Sequence, residues 1–163
     1  MKFIKLLPLC LAICAAFVSC NKSSDDPVSS STPVVVYEYN VNDVVQKALN
    51  MVLTVDGTQY KLSDLKGGSE IKLTKKSGTI KFDCTANELT YTDKIDVSFY
   101  LDVEAASLVS SGKYSSKKNI TGDEFYSKGL KADSANDYFK RHAELLCASV
   151  TYTVSDDGTV SIK

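Results

Sequence analysis

Residues Ile95 to Glu104 read IDVSFYLDVE, and this stretch decides the fold. Apolar and polar side chains alternate from its first residue to its last. A period of two places alternate side chains on opposite faces of a β-strand. We therefore expect one face of this strand to be buried and the other to meet water. A second layer of structure must cover the buried face.

Shorter β-rich segments lie on both sides of this strand, and turn residues separate them. Asp56-Gly57 stands between two apolar runs, which is a strong signal for a tight hairpin because a type I′ turn needs positive φ at both central residues. A second hairpin is expected around Lys76-Ser77-Gly78 and a third around Asp156-Asp157-Gly158. These signals predict a mainly β chain.

One substantial helix is expected in the C-terminal half, from Ser134 to Cys147, with Ser134 as its N-cap. Its apolar positions follow a single helical stripe. The stretch before it, Ala105 to Asp133, shows no regular period and is expected to be a long, partly packed loop. The fold predicted is an antiparallel β-sandwich or meandering barrel of about eight strands with this one helix.

The first 19 residues are typical of a secretory signal peptide. Lys2 and Lys5 precede an uncharged run, Leu6 to Val18, that is too short to span a bilayer. The run ends in FVSC at Phe17 to Cys20. This ending resembles the lipobox of bacterial lipoproteins, in which signal peptidase II cuts before the cysteine and a diacylglyceryl group is attached to its sulfur. The resemblance implies that Cys20 is lipidated; an ordinary signal peptide cut near Ser19 is the alternative.

The residues after Cys20 read NKSSDDP, a lysine followed by paired acids. This pattern resembles the surface-export signal of Bacteroidetes lipoproteins. The resemblance implies an outer-membrane lipoprotein, anchored by lipid at the cell surface of a Gram-negative bacterium. Residues 20–33 are expected to form the lipidated cysteine and a disordered tether, because they hold little that could be buried. Residues 34–163 are then a single β-rich globular domain.

Composition and motifs exclude several function classes. The chain has 19 basic and 20 acidic residues, which argues against nucleic-acid binding. It has no Trp and one His, His142, and no paired-cysteine or HExxH spacing typical of zinc sites. The GxSxG and glycine-rich phosphate motifs are also missing. We therefore expect no metal, no cofactor, no catalytic residues and no enzymatic activity.

Two cysteines, Cys84 and Cys147, remain in the mature chain once Cys20 carries lipid. An exported protein can form a disulfide between them. The alternative is two separate thiols that pack as small apolar side chains. A third interpretation, a cysteine nucleophile with His142 as its base, is disfavoured because His142 lies on the apolar stripe of the helix.

Tyrosines offer the remaining candidate contacts for a ligand, namely Tyr100 on the alternating strand and Tyr114 and Tyr126 in the long loop. Packing alone also favours tyrosine in strands. The function predicted is a surface-anchored, non-enzymatic binding or accessory module for a glycan or a peptide. The alternative is a protein that blocks a partner, such as a protease inhibitor or an immunity lipoprotein.

Overall fold

The structure is a computed structural model that describes residues 30–64 and 68–163. The expected signal peptide, Cys20 and all but the last residues of the expected tether lie outside these ranges. Strand β1 begins at Thr32, two residues before the expected domain boundary.

Within the described residues, nine strands and two α-helices form the fold. Their bounds in chain order are β1 (Thr32–Val41), α1 (Asp43–Ala48), β2 (Leu49–Val55), β3 (Thr58–Lys61), β4 (Ser69–Lys72), β5 (Ser77–Ala86), β6 (Ile95–Leu108), β7 (Tyr114–Leu130), α2 (Ala132–Leu146), β8 (Ala148–Val154) and β9 (Val160–Ile162). One sheet has the order β4-β1-β6-β7 and the other β3-β2-β5-β8-β9, with antiparallel pairing throughout. The mainly β prediction is confirmed, and two separate sheets make the fold a sandwich.

The core lies between the two sheets, where the alternation of β6 predicted it. The inward residues of β6 from Val97 to Val103 are buried, while Ser98 and Tyr100 between them are exposed. Phe82 of β5 and Tyr152 of β8 are fully buried in the same cluster from the second sheet. Each large apolar side chain buried in this way contributes about 1.5–3 kcal/mol.

The turn prediction at Asp56-Gly57 is confirmed. Asp56 has φ 52° and Gly57 φ 89°, the two positive values that a type I′ turn requires. The hairpin predicted around Lys76-Ser77-Gly78 is wrong. β4 pairs with β1 in the first sheet, whereas β5 pairs with β2 and β8 in the second. The chain crosses between the layers there, with Leu73 buried at the crossing.

The long loop expected from Ala105 to Asp133 is also wrong, because most of it forms β6 and β7. These two strands pair along almost their whole length. Shifts of register interrupt the pairing, one of them at Val103 and Glu104. Each shift reverses which side chains face inward, so no single period of two runs through the segment. The irregular sequence pattern from Ala105 to Asp133 is therefore explained by β-bulges in β7, an edge strand of the first sheet.

Helix α2 starts at Ala132, two residues earlier than predicted, and Lys131 precedes it without a side-chain cap bond. Ser134 donates a hydrogen bond to Asp133 instead of capping the helix. Gly129, at φ 68°, lies near the end of β7, one residue before the strand ends at Leu130 and three residues before α2 begins. The short α1 does have a cap, since the Asn42 side chain accepts a bond of 3.2 Å from the Val45 nitrogen.

Candidate functional site

The candidate site is the outer side of the first sheet, away from the core. Pairing of β1 with β6 sets Glu38 opposite Asp102 and Asn40 opposite Tyr100. Pairing of β6 with β7 sets Glu124 opposite Tyr100, and the neighbouring pair joins Ser98 to Tyr126. We call this group the open face; its members are Glu38, Asn40, Tyr100, Asp102, Glu124 and Tyr126. The alternation of β6 buries one set of its side chains in the core and places Tyr100 and Asp102 on the outer side of the sheet.

Two tyrosines stand out on the open face because of their exposure. Tyr100 is 37% exposed and Tyr126 is 68% exposed. Among the described residues, one further large apolar side chain is exposed, that of Leu145. Tyr100 and Tyr126 occupy diagonal positions on adjacent strands, where Cβ atoms lie about 7–8 Å apart. The two rings can therefore contact one ligand together.

Four carboxylates surround Tyr100. Loss of hydration raises the pKa of the Tyr100 phenol, and the negative charges of Asp102, Glu38, Glu124 and Glu104 raise it further. Partial burial raises the pKa of Asp102 as well, with Glu104 and Glu38 adding to the rise against the opposing charge of Lys117. The carboxylates that contribute to these shifts favour a positively charged group near Tyr100, and Lys117 already pairs with one of them, Glu104.

Tyr114 lies on the same side of the sheet but has a different environment. Its hydroxyl donates a short hydrogen bond to Glu70 of β4, and this bond and burial raise the pKa of Tyr114 to about 12. The Lys117 ammonium lies 5.1 Å from the centre of its ring and pairs with Glu104. The Tyr114 ring packs against an outward-facing cluster made of Val34, Val36 and Ala106.

The structure therefore brings together two of the three tyrosines that the sequence suggested. Tyr114 pairs with Leu108, which is separated from Tyr100 by about 26 Å along β6, at about 3.3 Å per residue. Tyr114 covers apolar residues at the far end of the sheet, so we assign it to packing. Sequence reasoning missed Glu38, Asp102 and Glu124, although the alternation of β1 and β6 already placed the first two outside.

A shallow depression adjoins Tyr100. It has a volume of about 400 Å³ and is lined by Glu38, Tyr39, Asn40, Gly68 and Tyr100. The depression is open to solvent over most of its extent, so it can contact one side of a ligand but cannot enclose it. The depression gives the open face a concave part beside an otherwise flat sheet.

The structure also brings Cys84 and Cys147 together, as free thiols. The Cys84 backbone N–H donates to the Cys147 sulfur at 3.4 Å. The Cys147 thiol can donate either to the Cys84 carbonyl or to the Ala143 carbonyl, each at 3.4 Å. Burial, and then the neighbouring Cys147, raise the pKa of the Cys84 thiol to about 12. These contacts make Cys147 a partner for the backbone of β5, and the disulfide stays a prediction.

His142 lies in an aromatic cluster beneath α2. Its ring stacks on Phe125 at 3.9 Å between centroids and lies 4.5 Å from Tyr138. Its Nδ1 is 3.4 Å from Asp123. Its contacts are thus separate from those of Cys147, which are with the backbones of Cys84 and Ala143. The geometry does not assemble a cysteine–histidine pair.

Comparisons with protein-family models, with curated proteins and with solved structures return no match. Across residues 30–64 and 68–163, no group of three or more His, Cys, Asp or Glu side chains is placed to hold a metal ion. The helices in the described part of the chain are also too short or too polar to cross a membrane.

Proposed function

We propose that this chain is a lipid-anchored, non-enzymatic binding module of the outer-membrane surface whose open face binds a basic peptide. The observation that carries the proposal is the position of Tyr100, which is solvent-exposed, lies among the three carboxylates of the open face and is diagonal to the exposed Tyr126. A lysine or arginine side chain fits this surface, because its cationic group can lie over an aromatic ring and its charge can neutralise a carboxylate.

The expected strength follows from the exposure of the groups. A cation over an exposed aromatic ring contributes about 0.5–1 kcal/mol, and exposed ion pairs contribute up to about 1 kcal/mol each. Several such contacts are needed for useful affinity, so a peptide with two or more basic residues fits better than a single cation. Since the charges are exposed, binding is expected to weaken as salt rises.

The expected anchor suits this role. Lipid on Cys20 would hold the protein at the membrane, and the part of the expected tether that precedes Ser31 would span about 16–19 Å. That distance separates the open face from the headgroups and allows it to meet ligands from outside.

The alternative function, a protein that blocks a partner, would use the same surface. A flat sheet face with exposed aromatic and acidic side chains can also dock on a basic patch of a folded protein. A short linear peptide and a folded basic protein distinguish the two functions, because blocking requires the folded partner.

The test uses the exported chain with Cys20→Ser, so that no lipid is attached. Its binding is measured against a random-peptide display library, a glycan array and a set of folded basic proteins. Enrichment of peptides with paired lysines or arginines supports the proposal. Tyr100→Ala and Glu124→Gln should each weaken such a peptide by about two- to five-fold.

The matched control is Leu145→Ala, which removes a more exposed apolar side chain from α2. It should leave the affinity unchanged. Selective binding of neutral glycans would contradict the ligand class, and selective binding of folded basic proteins would favour the blocking function. Binding that Tyr100→Ala and Glu124→Gln leave intact would exclude the open face.

A further inference from the structure

Strand β5 is longer than the strand that pairs with it on one side. β8 pairs with β5 as far as Phe82, which lies opposite Ala148. β5 continues to Ala86 and keeps its pairing with β2 to that residue. In the part of the chain that the structure describes, no strand pairs with residues 83–86 on the β8 side, and α2 follows that side of β5 instead.

The backbone of Ala86 is directed toward this gap. Along a strand, the N–H and C=O groups of successive residues point to opposite sides. The Cys84 N–H points away from β2, because it donates to Cys147. The Asn87 N–H points toward β2, because it donates to the Ala48 carbonyl at 2.7 Å. Ala86 therefore directs both its N–H and its C=O away from β2.

Two side chains bond to the backbone on either side of Ala86, one within β5 and one beyond its end. Before it, the Cys147 thiol accepts from the backbone of Cys84. After it, the Asn136 side chain accepts from the Leu89 N–H at 3.2 Å and donates to the Leu89 carbonyl at 3.0 Å. The Cys147 thiol takes the place that a neighbouring strand would occupy beside Cys84, and Asn136 holds the segment that follows β5. Between them the edge is left open at Ala86.

A groove of about 360 Å³ lies over this opening, between β5 and α2. Its polar lining includes three carboxylates, those of Glu88, Asp137 and Glu144, and one ammonium, that of Lys140. Ala86 and Ala143 supply apolar side chains to its lining. We call it the β5–α2 groove.

We propose that the β5–α2 groove binds an extended peptide that adds to the second sheet at Ala86 and places a basic side chain among Glu88, Asp137 and Glu144. Extended peptides bind sheet edges through main-chain hydrogen bonds, while side-chain pockets supply specificity. Ala86 offers one donor and one acceptor in the geometry of such a pairing. The excess of carboxylates selects the basic side chain. This site is separate from the open face and does not depend on its ligand.

The test screens a display library of random octapeptides against the exported chain with Cys20→Ser. Amide hydrogen exchange and backbone chemical shifts are then recorded with the best binder. We expect slower exchange at the Ala86 amide and shifts at Glu88 and Asn136. Ala86→Pro removes the donor and should weaken binding at least about ten-fold, and Glu144→Lys should do the same by charge.

The control variant is Glu124→Lys, which reverses a charge on the open face. It should leave binding in the groove unchanged while it weakens any peptide bound at the open face, so the failure of one proposal is distinguishable from the failure of the other. Circular dichroism shows whether each variant is folded; if Ala86→Pro is not, Glu144→Lys and the exchange data decide. An unchanged Ala86 amide, retained affinity in Glu144→Lys, or the absence of any enriched peptide would overturn the proposal.

Discussion

The hydroxyl of Tyr152 donates a hydrogen bond of 2.6 Å to Oδ2 of Asp56. Tyr152 is fully buried in β8, and Asp56 is the first residue of the turn between β2 and β3. The other carboxylate oxygen of Asp56 accepts a bond of 3.1 Å from the Thr79 nitrogen of β5. One side chain thus joins a turn to two further strands, which makes Asp56 a structural residue despite its place in a surface hairpin.

Replacing the Tyr152 hydroxyl should lower stability in a pH-dependent way. Tyr152→Phe removes the bond to Asp56, and we expect a loss of about 1–2 kcal/mol at pH 7. Burial, followed by the bond and the charge of Asp56, raises the pKa of Tyr152 above its ordinary value near 10. The folded state therefore holds the proton more tightly than the unfolded chain, so this contribution is complete below about pH 10 and declines as pH rises further.

Urea unfolding of the wild-type chain and Tyr152→Phe between pH 7 and 11 checks this prediction. The difference in unfolding free energy should be constant to about pH 9.5 and shrink above it. Tyr60→Phe, at a half-buried tyrosine of β3, is the control and should show a smaller loss. A difference that grew with pH would contradict the assigned role.

Gly78 should tolerate no side chain. A Cβ built there would lie 1.8 Å from Oδ1 of Asp56 and 2.9 Å from Cε1 of Tyr152. Gly78→Ala must therefore displace the bond between those residues, and we expect a loss of at least about 2 kcal/mol in thermal or urea unfolding. Ser77→Ala, an exposed neighbour on β5, should be close to neutral. Equal stability of the two variants would show that the Asp56 side chain moves aside at little cost.

Gly78 also shows where sequence reasoning was limited. The triplet Lys76-Ser77-Gly78 resembles a hairpin turn, but the glycine is there because two side chains from distant strands occupy the space beside it. The Asp56-Gly57 turn was predictable because the two residues themselves set its φ values. The local geometry of a turn could thus be predicted from the sequence. Contacts between strands that are far apart in the chain could not be predicted from it.

The same limit applies to the candidate site. The exposure of Tyr100 followed from the alternation of its own strand. The pairing of Tyr126 with Ser98 depends on the register shifts in β7, and no local sequence pattern predicts those shifts. The open edge at Ala86 could not be predicted for a further reason. It exists because β8 pairs with β5 only as far as Phe82, whereas β5 continues to Ala86.

The two thiols should differ strongly in reactivity. Cys84 is buried with its pKa raised to about 12, whereas Cys147 is exposed. At pH 8 the Cys84 thiolate fraction is on the order of one in ten thousand, and the thiolate is the reactive form. Iodoacetamide added to the native chain without reductant should label Cys147 and leave Cys84 unmodified. Both should be labelled once the chain is unfolded.

Mass spectrometry of the labelled peptides checks the order of reaction. Cys147→Ser is the control variant, and in it Cys84 should stay protected in the folded state. If neither residue is labelled in the unfolded chain until reductant is added, the two form a disulfide, and the thiol contacts with the β5 backbone do not describe the oxidised protein.

Truncation of Tyr114 should lower stability much more than truncation of Tyr126. Tyr114 covers Val34, Val36 and Ala106 and bonds to Glu70, so Tyr114→Ala is expected to cost about 2–4 kcal/mol of stability. Tyr126 is largely exposed, and Tyr126→Ala should change the unfolding free energy by less than about 0.5–1 kcal/mol. Urea denaturation of both variants measures the difference. A large loss in Tyr126→Ala would mean that the ring serves packing rather than ligand contact.

Asn136 should hold the segment between β5 and β6 against α2. Its amide makes two hydrogen bonds to the backbone of Leu89, which is the arrangement of a strand pair reproduced by one side chain. Asn136→Ala removes both bonds, and we expect the free energy of unfolding to fall by about 1–3 kcal/mol. Each hydrogen bond makes a net contribution of about 1 kcal/mol, and Leu89 is only partly exposed, so water replaces the lost bonds incompletely. Asn136→Asp retains the acceptor and loses the donor, so it should not restore full stability.

Hydrogen exchange locates the effect of the Asn136 change. The Leu89 amide should exchange faster in Asn136→Ala, while the Asn87 amide, bonded to Ala48, should keep its protection. Lys140→Ala, one turn along the same helix, is the matched control and should change neither amide. Faster exchange at Asn87 as well would mean that the whole segment leaves the sandwich together. In that case Asn136 would support the end of β5 itself and not the loop alone.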